Sequence, residues 1–139
     1  MQIEFILDPE DAIREKILTG LRQYNFQFFP HDNSQNIACI ARNEHGEFCG
    51  GLFGEIYINT LFVEYLWVDE SKREAGLGSS LFKRVEQEVK ALGVETVCLD
   101  TFSFQAREFY IKQGFKEVGR FTNFPMPGVD KIFLQKQFD

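Results

Sequence analysis

The chemistry of this chain is most legible in Arg73-Glu74-Ala75-Gly76-Leu77-Gly78 and the Ser79-Ser80 pair that follows. The segment lies between an apolar run and a stretch of helical period, so it forms the entry to a helix. The first N–H groups of a helix have no partner within it and lie at the positive end of its dipole, which suits them to bind anions, phosphates in particular. Gly76 and Gly78 let the backbone come close to a ligand, Arg73 adds a fixed charge, and the serine hydroxyls add donors. The glycine spacing by itself serves equally well to shape a strand-to-helix connection. It is not a dinucleotide fingerprint, because Leu81 stands where GxGxxG needs its third glycine, and no GxxxxGK followed by Ser or Thr occurs.

The remaining chemically capable residues are few. Glu64 is the single charge in the apolar run Leu61–Val68, and Glu55 lies in the preceding segment. His31 and His45 fall in loop-like stretches without ligand spacing, which argues against a metal site. Cys39, Cys49 and Cys98 are odd in number, lack CxxC spacing and lie in segments that read as strands. They read as reduced, buried small hydrophobes of an intracellular protein, and Cys98 as packing rather than nucleophile.

The elements that must position these residues follow from periodicity. Gln2–Leu7 alternates as a first strand, and Asp8-Pro9 reads as an N-cap and first helical residue of a helix or helix pair reaching Tyr24. Ile13, Ile17, Leu21 and Tyr24 hold its apolar face, and Gly20 costs about 1 kcal/mol against Ala and can divide it. Asn36–Arg42 and Glu47–Ile58 form a hairpin about Asn43–Gly46. Leu61–Val68, apolar on both faces, reads as a central strand. Leu77, Leu81, Val85, Val89 and Leu92 are spaced for a helix that ends at Gly93. Val94–Thr101 is then a strand parallel to the one before that helix. A short helix from Phe104 to Gln113, stopping at Gly114, precedes two strands, Lys116–Phe121 and Lys131–Gln137.

The 139 residues suit one domain, 1–139, with a real core; 44% are hydrophobic and sixteen are Phe. A net charge of −6 argues against nucleic acid or an anionic membrane surface as partner, and leans toward small or cationic ones. No signal-like amino terminus or membrane-length apolar run is present, so a soluble, cytoplasmic location is expected.

Leu66-Trp67-Val68-Asp69-Glu70-Ser71-Lys72 running into Arg73–Gly78 resembles the strand and the (Arg/Gln)-x-x-Gly-x-(Gly/Ala) signature of the GNAT superfamily of N-acetyltransferases. Ala106-Arg107-Glu108-Phe109-Tyr110-Ile111-Lys112-Gln113-Gly114-Phe115 resembles that family's second block at the family's spacing, and the order of elements matches over nearly the whole chain. The resemblance implies an α/β fold with a mixed, mostly antiparallel sheet of about seven strands, one central parallel pair and flanking helices. It implies acetyl-coenzyme A as acetyl donor and no metal. The amides from Arg73 to Ser80 would hold the pyrophosphate, and the strand edge at Leu66, Trp67 and Val68 would pair with the pantetheine arm where the fourth and fifth strands splay. A backbone N–H near Leu66 or Val68 would serve as oxyanion donor.

By the same resemblance Tyr110, beside Ala106 and Phe109 in the coenzyme-facing block, is the acid that protonates the departing thiolate. Ser103 stands where many members have a coenzyme-contacting Asn, and is expected to contact the coenzyme and cap the helix. The reaction implied is direct attack by a primary amine in a ternary complex. Glu64 is the first choice of base, since burial in an apolar strand would raise its pKa, with Glu55 second. Phe28, Phe29, Tyr57, Phe121 and Phe124 border the acceptor side in the family, and the acceptor is a small-molecule or peptide amine. The family also admits a homodimer, and the alternative to an enzyme is an acyl-coenzyme A sensor or interaction protein of the same fold.

Overall fold

In a computed structural model of the chain every residue except Asp32 and Glu74 is described. Residues 1–33 and 34–139 form two compact units.

Among the described residues the first unit holds one helix, α1 (Asp11–Asn25), and no strand. Gln2–Leu7 has the alternation of a strand but no ladder partner, and period-two patterning assigns faces without supplying the hydrogen bonds that make a strand. Asp8 does not cap the helix: its φ of 53° places it in the left-handed region that Asp tolerates, so it turns the chain early, and Glu10 stands at the N-cap without a side-chain bond. Gly20 does not divide α1. Its backbone bonds continue on both sides, and the propensity cost is spread over a fifteen-residue helix.

Among the described residues the second unit holds one six-stranded sheet, two α-helices and a single 3-10 turn at Glu70–Lys72. The strands are β1 (Ser34–Arg42), β2 (Phe48–Tyr57), β3 (Thr60–Val68), β4 (Thr96–Phe102), β5 (Lys116–Phe121) and β6 (Lys131–Gln137); the helices are α2 (Leu77–Ala91) and α3 (Arg107–Lys112). The sheet order is β1-β2-β3-β4-β6-β5, and only β3 and β4 are parallel. The expected mixed α/β sheet is therefore present, with six strands instead of about seven, because the amino-terminal segment contributes none.

The core lies where α2 turns Leu81, Phe82, Val85 and Val89 toward the sheet. Opposite them, alternate residues of four strands are buried, among them Leu52, Leu61, Val63, Val97, Leu99 and Leu134. Phe82 is its centre: its ring lies 6.0 Å from Phe109, 5.9 Å from Tyr110 and 5.7 Å from Phe115, so both helices are fastened to one side chain.

β3 is central in order but is not buried on both faces, as its apolar run suggested. Phe62, Tyr65 and Trp67 are exposed. Aromatic neighbours on the same face account for the run instead, with Trp67 stacked on Phe48 at 5.9 Å and Tyr65 against Phe53 at 6.4 Å.

The register of β3 holds the feature that opens the sheet. Gly54 faces Val63 while its neighbour Phe53 faces Tyr65, so Glu64 is an extra residue, a β-bulge. On the other side of β3 the parallel ladder runs only from Thr60↔Thr96 to Val63↔Leu99. Pairing between β3 and β4 thus ends at the residue before the bulge, and the two strands continue with their facing edges unpaired to each other.

Candidate active site

The opening between β3 and β4 is a cleft of about 1000 Å³. One end reaches Arg73, Gly76, Gly78 and Ser79; the strands contribute Glu64 to Val68 and Leu99 to Phe102, and α3 contributes Ala106, Phe109 and Tyr110. Leu99 and Thr101 are buried on the α2 side of the sheet, and alternation turns Asp100 and Phe102 the other way. Groups from both faces of the sheet therefore meet in one cleft, which gives two reactants separate approaches.

The two glycines at its end serve different needs. Gly76 stands at the N-cap of α2 with φ of 79° and has no side chain to cap it, so the N-cap residue leaves the first-turn N–H groups open. Gly78 is needed for packing: a Cβ there would lie 3.0 Å from Cζ of Phe109. The sequence reading gave both glycines to the ligand, whereas the second one lets the second sequence block press against the first. Gly78→Ala is expected to displace the Phe109 ring and cost about 1 kcal/mol, measured as a fall in melting temperature, and Phe109→Leu in the same chain should recover most of it.

Arg73 spends one donor on the fold, its Nε bonding the Val68 carbonyl at 2.9 Å, and so ties the loop to the end of β3. Ser79 Oγ accepts from Gln113 Nε2 at 2.9 Å and keeps its own proton for donation. Leu77 lines the cleft with Gly76 and Gly78, whereas Ala75 and Ser80 do not, and Glu74 lies outside the described residues.

Tyr110 is buried in the cleft wall, edge-on to Phe82, Phe109 and Phe115. Burial, with a smaller contribution from the Asp100 carboxylate, pushes its phenol up to about 12, so the hydroxyl is protonated throughout the working range. Glu64 lines the cleft but is exposed: it follows the buried Val63, and ordinary alternation turns it to the face on which Phe62 is also exposed, so the burial expected of it is absent. Glu55 faces Asn36 and Phe62 across the ladders, away from the cleft. Ser103 does not cap α3, whose N-cap is Ala106 without a side-chain bond. Its Oγ accepts from Asp130 N–H and its N–H donates to the Asp130 carbonyl, both at 2.9 Å.

Gln105 and Asp100 are among the cleft residues that sequence reasoning missed. Gln105 Oε1 accepts from Phe102 N–H at 2.8 Å and Thr101 Oγ1 at 3.1 Å; because a backbone N–H only donates, the amide orientation is fixed and Nε2 remains as donor. Asp100 was passed over as an ordinary strand residue, and only the point where β3 and β4 part shows that it follows Leu99 as Glu64 follows Val63.

Ser103 belongs to a polar clasp around the loop 122–130. Asp130 Oδ1 accepts from Asn123 N–H, Asn123 Oδ1 accepts from Gly128 N–H, and Asp130 Oδ2 pairs with Arg120 at 3.0 Å. Arg120 and Arg107 both bond Glu117, and these bonds, Arg120's first, hold its carboxyl at about 2. A carboxyl depressed by folding stabilises the native state above its ordinary range and loses that contribution as pH falls through the folded value. The melting-temperature gap between wild type and Glu117→Gln should therefore be widest above about pH 4.5 and close toward pH 2.

The cysteines are free: Cys49 is buried, and Cys39 and Cys98 are half-buried. Among the described residues no group of three or more His, Cys, Asp or Glu is placed to hold a metal, and no helix is long and apolar enough to cross a membrane.

The model of the acetyltransferase (GNAT) domain matches residues 33–117, spanning both sequence blocks and the parting strands. The chain belongs to the GNAT acetyltransferases. Blasticidin-S acetyltransferase of Streptomyces morookaense is 36% identical over 104 residues, covering 72% of this chain and 74% of that protein. An acetyltransferase of Agrobacterium fabrum is 29% identical over 139 residues, 98% of this chain and 100% of the relative. The crystal structure of an acetyltransferase from Bacillus cereus ATCC 14579 superposes with a TM-score of 0.88 at 33% identity, over 97% of this chain and 98% of that one. This GNAT protein is thus an acetyl-coenzyme A-dependent acyltransferase. The uncapped, positive-φ entry to α2 fits the phosphates of that co-substrate.

Proposed function

We propose that residues 1–139 act as one N-acetyltransferase domain that moves an acetyl group from acetyl-coenzyme A to a primary amine of a small molecule by direct attack in a ternary complex. The observation that carries this reading is the parting of β3 and β4 at the Glu64 bulge, which joins the α2 entry, the free edge of β3 and Tyr110 in one cleft. The first-turn amides of α2, with Arg73 and Ser79, take the pyrophosphate, and Leu66–Val68 offers its edge to the pantetheine arm. A backbone N–H at Leu66 or Val68 receives the oxyanion.

The amine nitrogen bonds to the carbonyl carbon and its proton leaves to Glu64 or water; as the C–S bond breaks, the departing sulfur takes the Tyr110 proton, which solvent restores. Glu64 suits this role through its exposure, which lets it pass the proton on to water. Blasticidin S heads the acceptors to be tried, on the strength of the Streptomyces relative.

The test is thiol release from acetyl-coenzyme A with blasticidin S and a panel of other primary amines. Turnover with one or more of them is expected. Tight acetyl-coenzyme A binding with no thiol release for any acceptor would replace the enzyme with a sensor.

A further inference from the structure

We propose that Asp100 receives the ammonium group of the acceptor at the mouth of the cleft, and that Lys131 occupies this cation site when no acceptor is bound. The proposal rests on the acetyltransferase reading above and names the chemistry of its acceptor side.

The site is assembled from three strands. Asp100 on β4 faces Phe133 on β6, and Lys131 faces Phe102 two pairs further on, so all four share a face of the sheet. Phe121 of β5 faces Lys131 across the next ladder, and its ring lies 4.8 Å from Phe133 and 5.5 Å from Phe124. Lys131 Nζ lies 5.5 Å from the centre of the Phe124 ring, 5.9 Å from that of Phe133, and 3.8 Å from Asp100 Oδ1. A carboxylate with two aromatic faces turned to one point is a cation site, because the ring faces carry partial negative charge.

Asp100 belongs to the cleft wall and Lys131 does not. At 3.8 Å, with side-chain exposures of 26% and 31%, the pair is loose and inexpensive to break. An incoming ammonium can take the carboxylate from the cleft side while Lys131, on its flexible stem, withdraws along the rings. The carboxylate would hold the amine on the sheet face opposite Leu99 and Thr101, in the cleft that Glu64 also lines and within electrostatic reach of Tyr110.

Three purified full-length variants, Asp100→Asn, Asp100→Glu and Lys131→Gln, test this with two readouts. The first is calorimetric binding of spermidine and of blasticidin S to protein saturated with coenzyme A, which requires no turnover. The second is the KM for each amine. Asp100→Asn should weaken binding and raise the amine KM at least tenfold without changing the KM for acetyl-coenzyme A, and Asp100→Glu should restore part of the loss. Lys131→Gln should tighten binding two- to fivefold by removing the resident cation. Unchanged amine affinity in a folded Asp100→Asn protein would overturn the proposal, as would weaker binding of both amines in Lys131→Gln. Binding that depends on Asp100 without any thiol release would sink the catalytic reading and leave this one standing; thiol release that ignores Asp100 would do the reverse.

Discussion

Tyr110→Phe should lower kcat by about 10²–10⁴-fold, the range for a positioned general acid, with little change in melting temperature or in the KM for acetyl-coenzyme A. The ring is held by its edges against Phe82, Phe109 and Phe115, contacts that phenylalanine keeps. Only the hydroxyl is lost, and with it the proton donor. A phenol held at about 12 cannot hand its proton outright to a sulfur whose ordinary pKa is about 8.5, since the mismatch of roughly 3.5 units is about 5 kcal/mol uphill. Transfer must accompany C–S cleavage, when the hydrogen bond strengthens as charge gathers on sulfur. Thiol release measured on both proteins decides the matter, and an unchanged kcat removes Tyr110 from the mechanism.

The same burial carries a stability consequence. The neutral phenol favours the fold fully below about pH 10, and that contribution is lost as pH rises toward 12. A 295 nm titration of wild type minus Tyr110→Phe should show the extra phenol ionising nearer 12 than 10.

Gly54→Ala should be the most damaging single methyl in the chain, costing about 3 kcal/mol. A Cβ at Gly54 would lie 2.6 Å from the Phe62 carbonyl oxygen and 3.0 Å from Cδ1 of Leu61. The first of these is backbone and cannot rotate away, so β2 and β3 must separate beside the bulge. Loss of stability and loss of acetyl-coenzyme A binding should therefore appear together. Gly119→Ala is the control, since a Cβ there has nothing within 4 Å, and its effect should stay within about 0.5 kcal/mol. Calorimetry of the two variants side by side tests the contrast; equal melting temperatures would show that the ladder at Gly54 yields more than its geometry allows.

What the sequence disclosed and what it withheld divide along physical lines. Helix α2 and its entry were legible because apolar spacing and glycine are local signals, and α2 begins at Leu77 as the spacing requires. The six paired strands were legible to within a few residues. Gln2–Leu7 was misread because alternation says nothing of pairing. The Glu64 bulge was invisible, since an extra residue shows only against a partner's register, and the carboxylate read as buried because the run around it is apolar. Gly78 needs Phe109, and Asp100 meets Lys131, across stretches of chain that only helix packing and the β4–β6 ladder bring together. Such long-range pairs leave no trace in local spacing.

The clasp on the loop 122–130 gives the proposed acceptor side a different evolutionary freedom from the proposed donor side. The donor end is interlocked through Gly78, Phe109 and Phe82, where one altered side chain disturbs its neighbours. The loop hangs from Asn123 and Asp130, joined to Ser103 and Arg120 by polar bonds at its rim. Phe124 is fixed against Phe121 and Lys131, so residues 125–127 form the exchangeable cassette: new sequences can be grafted between Phe124 and Gly128, and on the proposed reading new acceptors selected, while the interlocked end at Gly78 and Phe109 is left intact.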